Sequence, residues 1–339
     1  MNTAAVRSTI RFTFALPDPD PVKQSDYYRA AREMIHWGDK RGLSFVSVDE
    51  HHATGFGWSP NPILEAGMIL AGTEKVRAIA AAALAPLWNP VRFAEDVAVV
   101  DQMTQGRLIV HFGLGYRPIE YAAMGQNFKR RGKLMDEFLD VVLKAWSGEP
   151  FELNGEMVSI SPLPYTQPHP PIFVGGSVPA TVDRAIKYRL PLNLPDYLPE
   201  LRDDYVRRAE EAGFQPVVTM VPERRPGMVL LHEDPEKAWD VLGEHLMWEA
   251  INYGAWARGA DVRSVMHVAD AMTIDDVKAS GRYVVMTPDE AVQMLTAPDS
   301  DRMIAMHPLV GGMPLDEAWK SVHLLTDEVL PRVAAHRND

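Results

Sequence analysis

The sequence predicts an α/β protein in which parallel strands and helices alternate to form one (β/α)8 TIM barrel with insertions, spanning residues 1–339 as a single domain. Three observations favour this fold. Short apolar segments alternate with amphipathic segments, several apolar segments end directly in polar or glycine-rich residues, and no change in composition marks a second domain. The same alternation is compatible with an open doubly wound sheet, which is the alternative.

The first half of the chain shows the clearest alternation. Strands are predicted at residues 10–16, 45–49, 76–85 and 107–112, and helices at 25–40, 63–72 and 90–103. The segment 76–85 contains mostly small and aliphatic residues, which is typical of a strand that is buried on both faces. Asn89 followed by Pro90 indicates a helix start, because asparagine caps the first turn and proline lacks only an amide that the helix leaves unpaired.

The second half keeps the alternation with two exceptions. Strands are predicted at residues 171–174, 190–194, 228–232 and 302–307, with helices at 179–188, 198–212, from 235 onward and at 315–329. The first exception lies near residues 150–162, where Asn154 and Gly155 indicate a tight turn and therefore a β-hairpin. The second is the region 248–287, which lacks the barrel pattern and is predicted to be an insertion with helices.

Composition and charge exclude several classes of function. The formal net charge of -12 argues against a general nucleic-acid or anionic-membrane surface, since either needs a basic face. The absence of cysteine excludes disulfides, thiolate metal sites and a cysteine nucleophile. No apolar run reaches the length of a membrane span and the first residues lack a secretory signal, so we expect a cytoplasmic protein.

The first candidate site is the segment FVSVDEHH at residues 45–52, where a buried strand ends in Glu50, His51 and His52. Strand ends meet at one face of a barrel, and histidine titrates near neutral pH, so this tip suits proton transfer. Adjacent side chains on extended backbone point in opposite directions, so only one imidazole is expected to face the pocket. Packing is the alternative for His52. Metal binding by Glu50, His51, His111 and His232 is another alternative, although His-Glu-x-x-His is absent.

Two glycine loops are the other candidates. Gly113, Leu114, Gly115 and Tyr116 follow the fourth strand, where glycines let the backbone approach a planar or anionic ligand. Gly175, Gly176 and Ser177 precede a helix, where free amides and a hydroxyl suit a phosphate. Ser177 as a simple N-cap is the alternative there, and Thr181 one turn later either adds a hydroxyl or faces solvent.

No G-x-S-x-G, Walker or G-x-G-x-x-G motif is present, so triad hydrolysis, nucleotide-triphosphate chemistry and a Rossmann half are not indicated.

In their order, these segments resemble the bacterial luciferase-like family of flavin-dependent monooxygenases. The resemblance covers residues 45–177 and, to a lesser degree, 311–332. The matching segments are DEHH (49–52), NPVR (89–92), AED (94–96), DQM (101–103), GR (106–107), GLGYRPIEYAAMG (113–125), KLMDEFLDVVLKAW (133–146) and QPHPPIFVGGS (167–177). The ordered series is more specific than any single motif.

The resemblance implies a barrel that binds FMN at its C-terminal mouth. By position, Gly176 and Ser177, with Thr181, would hold the phosphate. Ala81 and Ala82 would lie against the flavin ring, in a strand that can hold a non-proline cis peptide in this family. Where luciferases have a flavin-holding arginine, this chain has Leu114, so the contacts there must differ. Family members often form homodimers through the helices that correspond here to 63–72 and 90–103.

The function implied is a monooxygenase that takes reduced FMN from a separate flavin reductase and uses O2 to oxygenate a small organic substrate through a flavin C4a-(hydro)peroxide. His51 would be the acid or base, with Glu50 orienting it or closing the barrel rim. His52, Tyr116 and His111 would belong to the substrate pocket. The alternatives are a deazaflavin-dependent hydride-transfer enzyme of the same fold, a flavin-binding protein without catalysis, and a metal hydrolase. No sequence pattern identifies the substrate.

Overall fold

The fold is a parallel barrel surrounded by helices. The computed structural model describes residues 6–223, 225–258, 260, 262–268 and 270–336. The strands are β1 (Arg7–Phe12), β2 (Phe45–Val48), β3 (Arg77–Leu84), β4 (Leu108–Gly113), β5 (Phe151–Leu153), β6 (Glu156–Val158), β7 (Ile172–Gly175), β8 (Leu192–Leu194), β9 (Val218–Met220), β10 (Met228–Leu231), β11 (Tyr283–Met286) and β12 (Met303–Met306).

The helices lie between these strands along the chain. They are α1 (Pro21–Asp39), α2 (Pro62–Leu70), α3 (Pro90–Thr104), α4 (Pro118–Ala123), α5 (Arg131–Ser147), α6 (Pro179–Tyr188), α7 (Pro199–Glu211), α8 (Pro235–Ala257), α9 (Ile274–Ala279), α10 (Pro288–Thr296), α11 (Leu315–His323) and α12 (Leu330–Ala335), with a π-helical segment between the last two. None of the helices within the described ranges is long and apolar enough to span a membrane.

The order of the strands confirms the barrel. In the ten-stranded sheet the order is β11-β10-β12-β1-β2-β3-β4-β7-β8-β9, and all the pairings found are parallel. From β1 to β8 each strand of this sheet is added on the same side, while β5 and β6 form a separate pair, and the C-terminal strand β12 pairs with β1. A doubly wound sheet would instead reverse direction at a switch point. The open-sheet alternative is therefore wrong.

Of the two exceptions predicted in the second half of the chain, the first agrees with the structure and the second differs from it. Residues 151–158 form the antiparallel pair β5 and β6, in the region where a hairpin was predicted. The region 248–287 is not an insertion from its start, because α8 continues without interruption to Ala257. The same region contains α9 and β11, and β11 pairs with β10 in the main sheet. The barrel pattern was missed because α9, the helix before β11, has only six residues and gives little helical periodicity.

Packing of the helices decides which strand residues face the interior of the barrel. Phe112 of β4 packs against Phe93 of α3 and Phe138 of α5, with ring centroids 5.5 and 5.4 Å apart. Since side chains alternate along a strand, His111 and Gly113 point to the opposite side, into the barrel. The side chains that point from the strands toward the helices thus form the apolar core. The side chains that point into the barrel at the strand ends are available for a site.

Candidate active site

His51 lies just beyond the end of β2 and pairs with a glutamate from α4. Its Nδ1 atom is 2.9 Å from Oε1 of Glu120, which lies in the first turn of α4. The same oxygen accepts hydrogen bonds from the backbone amide of His52 at 3.1 Å and from Arg117 at 3.0 Å. Burial alone would raise the pKa of Glu120, but the hydrogen bond and charge of His51 and the charge of Arg117 lower it below its usual value. Glu120 is therefore ionised and holds the imidazole of His51 in place.

Glu50 pairs with the other imidazole. Its Oε1 atom is 2.8 Å from Nε2 of His52, and its Oε2 atom accepts from the amide of Leu84 at 2.8 Å. The indole of Trp88 donates to the same carboxylate at 3.0 Å. The expectation that Glu50 orients His51 is therefore wrong. Its carboxylate instead joins the end of β2 to the end of β3.

Aromatic side chains surround His51. The ring centroids of Trp58, Tyr116, Tyr253 and Trp256 lie 5.6, 5.9, 5.9 and 5.0 Å from that of the imidazole. Trp58 and Tyr253 are buried. Tyr253 and Trp256 lie three positions apart on α8 and therefore share a face of that helix. Sequence reasoning found Tyr116 but missed the other three. The predicted insertion included Tyr253 and Trp256 at the end of α8, and Trp58 lies in the loop after β2, where no pattern marked it.

A buried polar network lies beside this aromatic cluster. The Nε and Nη2 atoms of Arg11 donate to the two carboxylate oxygens of Asp49, and Tyr253 donates to that carboxylate at 2.8 Å. Arg11 also donates to Glu249 at 3.2 Å, and the imidazole of His307 is 3.1 Å from Glu249. Burial would raise the pKa of Glu249, but the charges and hydrogen bonds of His307 and Arg11 lower it. Sequence reasoning missed this network, whose members come from four distant segments.

The neighbouring strands carry almost no side chains at the mouth. The peptide bond between Ala81 and Ala82 is cis. A methyl group on Gly113 would lie 3.0 Å from Cβ of Ala82, and one on Gly175 would lie 3.0 Å from the carbonyl oxygen of Phe112. Larger side chains at Ala82, Gly113 or Gly175 would therefore fill this part of the mouth, and the small residues leave it open.

His111 lies deeper on the same strands. It is opposite Ala81 in the register of β3 and β4, and its ring centroid is 4.7 Å from that of Phe173 on β7. Burial lowers the pKa of His111 to about 4, so the ring is neutral at physiological pH. Leu114, at the end of β4, accepts a hydrogen bond from the Tyr121 hydroxyl through its carbonyl oxygen.

Gly176, Ser177 and Thr181 lie together where α6 begins. A methyl group on Gly176 would overlap the Thr181 hydroxyl, and Thr181 is buried, so the solvent-facing alternative for this residue is wrong. The N-cap of α6 is Val178, and no side chain caps the helix, so the N-cap alternative for Ser177 is also wrong. The hydroxyl of Ser177 accepts a hydrogen bond from the amide of Arg263 at 3.0 Å. The first turn of α6 thus presents uncapped amides beside two hydroxyls.

The four residues considered as metal ligands do not assemble into a metal site. Glu50 is bound to His52, Leu84 and Trp88, and His51 to Glu120. Across the part of the chain that the structure describes, no group of three or more histidine, aspartate or glutamate side chains is arranged to hold a metal ion.

Comparisons with known proteins agree with this fold. A family model described as luciferase-like monooxygenase matches residues 9–295. The oxygenase component of a flavin-dependent trigonelline monooxygenase from Acinetobacter baylyi is 26% identical over 334 residues, which cover 94% of this chain and 82% of that protein.

Two solved structures share the fold over nearly their whole length. A monooxygenase from Streptomyces bottropensis matches with a TM-score of 0.74 at 23% identity, covering 96% of this chain and 99% of that one. The oxygenating constituent of 3,6-diketocamphane monooxygenase from Pseudomonas putida, solved in complex with FMN, matches with a TM-score of 0.71 at 18% identity, covering 97% and 99%.

Proposed function

The chain belongs to the luciferase-like monooxygenase family, and we propose that it is the oxygenase component of a two-component enzyme. It would take reduced FMN from a separate flavin reductase and use O2 to oxygenate a small organic substrate. The observation that carries this proposal is the pair formed by His51 and Glu120 at the end of β2, beside the alanine- and glycine-lined ends of β3 and β4. We also propose a cytoplasmic location, where reduced nicotinamide is available to the reductase.

The residues at the mouth fit FMN. A planar ring needs backbone without bulky side chains, and Ala81, Ala82 and Gly113 supply it. A phosphate needs amides and hydroxyls, which the uncapped start of α6 supplies together with Ser177 and Thr181. These residues would hold the ring and the phosphate, respectively. Leu114 offers only apolar contact, so the ring there would be held by packing.

When bound, reduced FMN supplies two electrons that activate O2, so that one oxygen atom enters the substrate and the other leaves as water. His51 would move the proton. Because ionised Glu120 binds its Nδ1 atom, the neutral imidazole carries its hydrogen there and keeps a lone pair on Nε2. Nε2 can therefore accept a proton and return it. Trp58, Tyr116, Tyr253 and Trp256 surround the ring and exclude water from it.

The test is anaerobic titration of the purified protein with reduced FMN and with a reduced deazaflavin, followed by admission of O2. We expect reduced FMN to bind and to be reoxidised at a rate that differs from that of free reduced FMN. His51→Gln is expected to bind FMN normally and to change the reoxidation rate at least tenfold, whereas His52→Gln serves as the matched control. Binding of the deazaflavin alone would favour hydride transfer, and binding of neither would refute the proposal.

We further propose a homodimer through α2 and α3. Support comes from large apolar side chains exposed on the two helices: Leu64 and Met68 are 60% and 59% exposed on α2, and Val99 and Met103 are 43% and 76% exposed on α3. The change Leu64→Lys combined with Met103→Lys should halve the mass measured by light scattering. The control Val241→Lys, at an equally exposed residue of α8, should leave it unchanged. A wild-type monomer would contradict the proposal.

A further inference from the structure

The aromatic cluster around His51 contains buried polar atoms that have no partner. Within the described residues, ten buried side-chain nitrogen and oxygen atoms lack a hydrogen bond. Four of them lie at this cluster: Nε1 of Trp58, the hydroxyl of Tyr116, Oε2 of Glu120 and Nδ1 of His267. The His267 ring centroid is 5.8 Å from that of Tyr116. Buried polar groups are normally paired, so this concentration points to a ligand that completes them.

The surfaces beside these atoms are aromatic faces. The rings of Trp58 and Trp256 are 4.7 Å apart, and both contact the ring of Tyr253, at 5.2 and 5.7 Å. Aromatic rings prefer aromatic partners in offset or edge-to-face arrangements over aliphatic ones of similar area. A planar aromatic ligand can therefore replace contacts that these rings now make with each other. Trp256 is half-buried and the penultimate residue of α8, so it is the ring that would move to admit one.

The charges at the cluster are already balanced, which disfavours a cationic ligand. The guanidinium of Arg117 lies over Trp256 at 4.1 Å and also binds Glu120 at 3.0 Å. The face that would attract a fixed cation is thus occupied by a cation of the protein. Asp49 is likewise paired with Arg11. Trp58 can only donate a hydrogen bond, so its partner must carry an acceptor oxygen or nitrogen.

We propose that the substrate is a neutral planar aromatic compound bearing a hydroxyl or carbonyl oxygen, bound among these rings beside His51. The indole of Trp58 donates to that oxygen, and the hydroxyl of Tyr116 contacts it as a second polar group. An alkane would leave the donor of Trp58 unpaired, and an aliphatic aldehyde would pair with that donor but could not replace the ring contacts of Trp58, Tyr253 and Trp256. This inference rests on the proposed function only in taking His51 as the reaction site.

Calorimetric titration of the full-length protein tests the inference without turnover. The probes are 2-naphthol, its saturated counterpart decahydro-2-naphthol, naphthalene, which lacks the oxygen, and N-methylquinolinium, which carries a fixed charge. We expect 2-naphthol to bind about tenfold more tightly than the saturated compound. It should bind about fivefold more tightly than naphthalene, and N-methylquinolinium should bind more weakly than 2-naphthol.

The variant Trp58→Phe keeps an aromatic ring but removes the donor, together with part of the ring area. The lost area weakens 2-naphthol and naphthalene alike, so the readout is the ratio of their affinities, which should fall to less than twofold. Trp248→Phe is the matched control, because that ring stacks on Trp58 at 6.2 Å and should leave the preference intact. If Trp58→Phe does not fold, Tyr116→Phe provides the same comparison with the second polar group.

Equal affinity for 2-naphthol and decahydro-2-naphthol, tighter binding of N-methylquinolinium, or an unchanged preference in Trp58→Phe would each overturn the inference. These results are separable from the proposed function. If reduced FMN does not bind but the 2-naphthol preference is present, the proposed function fails and the aromatic site stands. If reduced FMN binds and its reoxidation is altered, but 2-naphthol does not bind, only the substrate class is wrong.

Discussion

Along β3, β4 and β7, the mouth of the barrel is lined by alanine and glycine, whereas along β1, β2 and α8 it is lined by arginine, aspartate, histidine, tyrosine and tryptophan. On the first side a ligand would meet backbone, and adding even a methyl group brings atoms to 3.0 Å. On the second side the side chains bind one another in a buried network. The two sides are adjacent because β2 pairs with β3.

The difference separates two ways of building a site. The small-residue side acts through shape. Its function depends on the absence of large side chains, so it tolerates almost no added volume. The large-residue side acts through paired charges, so its stability depends on every partner being present. We therefore expect substitutions on the first side to affect ligand binding and substitutions on the second side to affect folding or proton transfer.

The largest effect is expected from Arg11→Leu. This change leaves Asp49 and Glu249 buried without their cation, and breaking a buried ion pair from one side costs about 3–5 kcal/mol. The free energy of unfolding, measured with denaturant, should fall by that amount. Arg29→Leu is the control, since its ion pair with Asp26 is exposed and such pairs contribute under about 1 kcal/mol. A similar loss of unfolding free energy in the two variants would show that the buried network does not stabilise the large-residue side.

The next effect is expected on the other side of the mouth, from Gly176→Ala. The added methyl group would overlap the Thr181 hydroxyl, and overpacking of this kind costs about 1–3 kcal/mol. The dissociation constant of FMN, measured by flavin fluorescence, should rise about tenfold or more. Gly132→Ala is the control, because its methyl group would meet Arg184 at an ordinary 3.5 Å. Unchanged FMN affinity in Gly176→Ala would place the phosphate elsewhere.

How far the sequence predicted each side follows from the same difference. The small-residue side is local in sequence: the glycines at the ends of β4 and β7 each stand in one short segment and were identified from it, whereas Ala81 and Ala82 were expected there only from the family resemblance. The large-residue side is assembled from distant segments. His51 and Glu120 are 69 positions apart, and Arg11 and Glu249 are 238 apart, so neither pair leaves a local pattern. The fold brings them together, and the sequence alone did not show which glutamate serves which histidine.

Glu120→Gln tests that assignment through pH dependence. The pKa of Glu120 is lowered in the folded state, so its contribution to stability is present above the unfolded value of 4.5 and is lost as pH falls through the folded value. The variant should be less stable than the wild type by about 1.5 kcal/mol at neutral pH, as for a hydrogen bond to a charged group. This gap should narrow below pH 4.5. A gap that is constant with pH would mean that the pKa of Glu120 is the same in the folded and the unfolded protein, so that His51 and Arg117 do not stabilise the carboxylate.

The smallest effect is expected from Ser177→Ala, which removes one hydroxyl from the small-residue side and adds no volume. The amide of Arg263 then loses its acceptor, and a phosphate at the start of α6 loses one donor. A single hydrogen bond of this kind contributes about 0.5–1 kcal/mol, so FMN should bind about two- to fivefold more weakly. Riboflavin, which has no phosphate, should bind as before. If the affinity for riboflavin falls by the same factor, Ser177 acts by positioning Arg263 and the segment that contains it, so the two sides of the mouth are coupled through that segment. If only the affinity for FMN falls, the small-residue side binds the phosphate independently of the large-residue side.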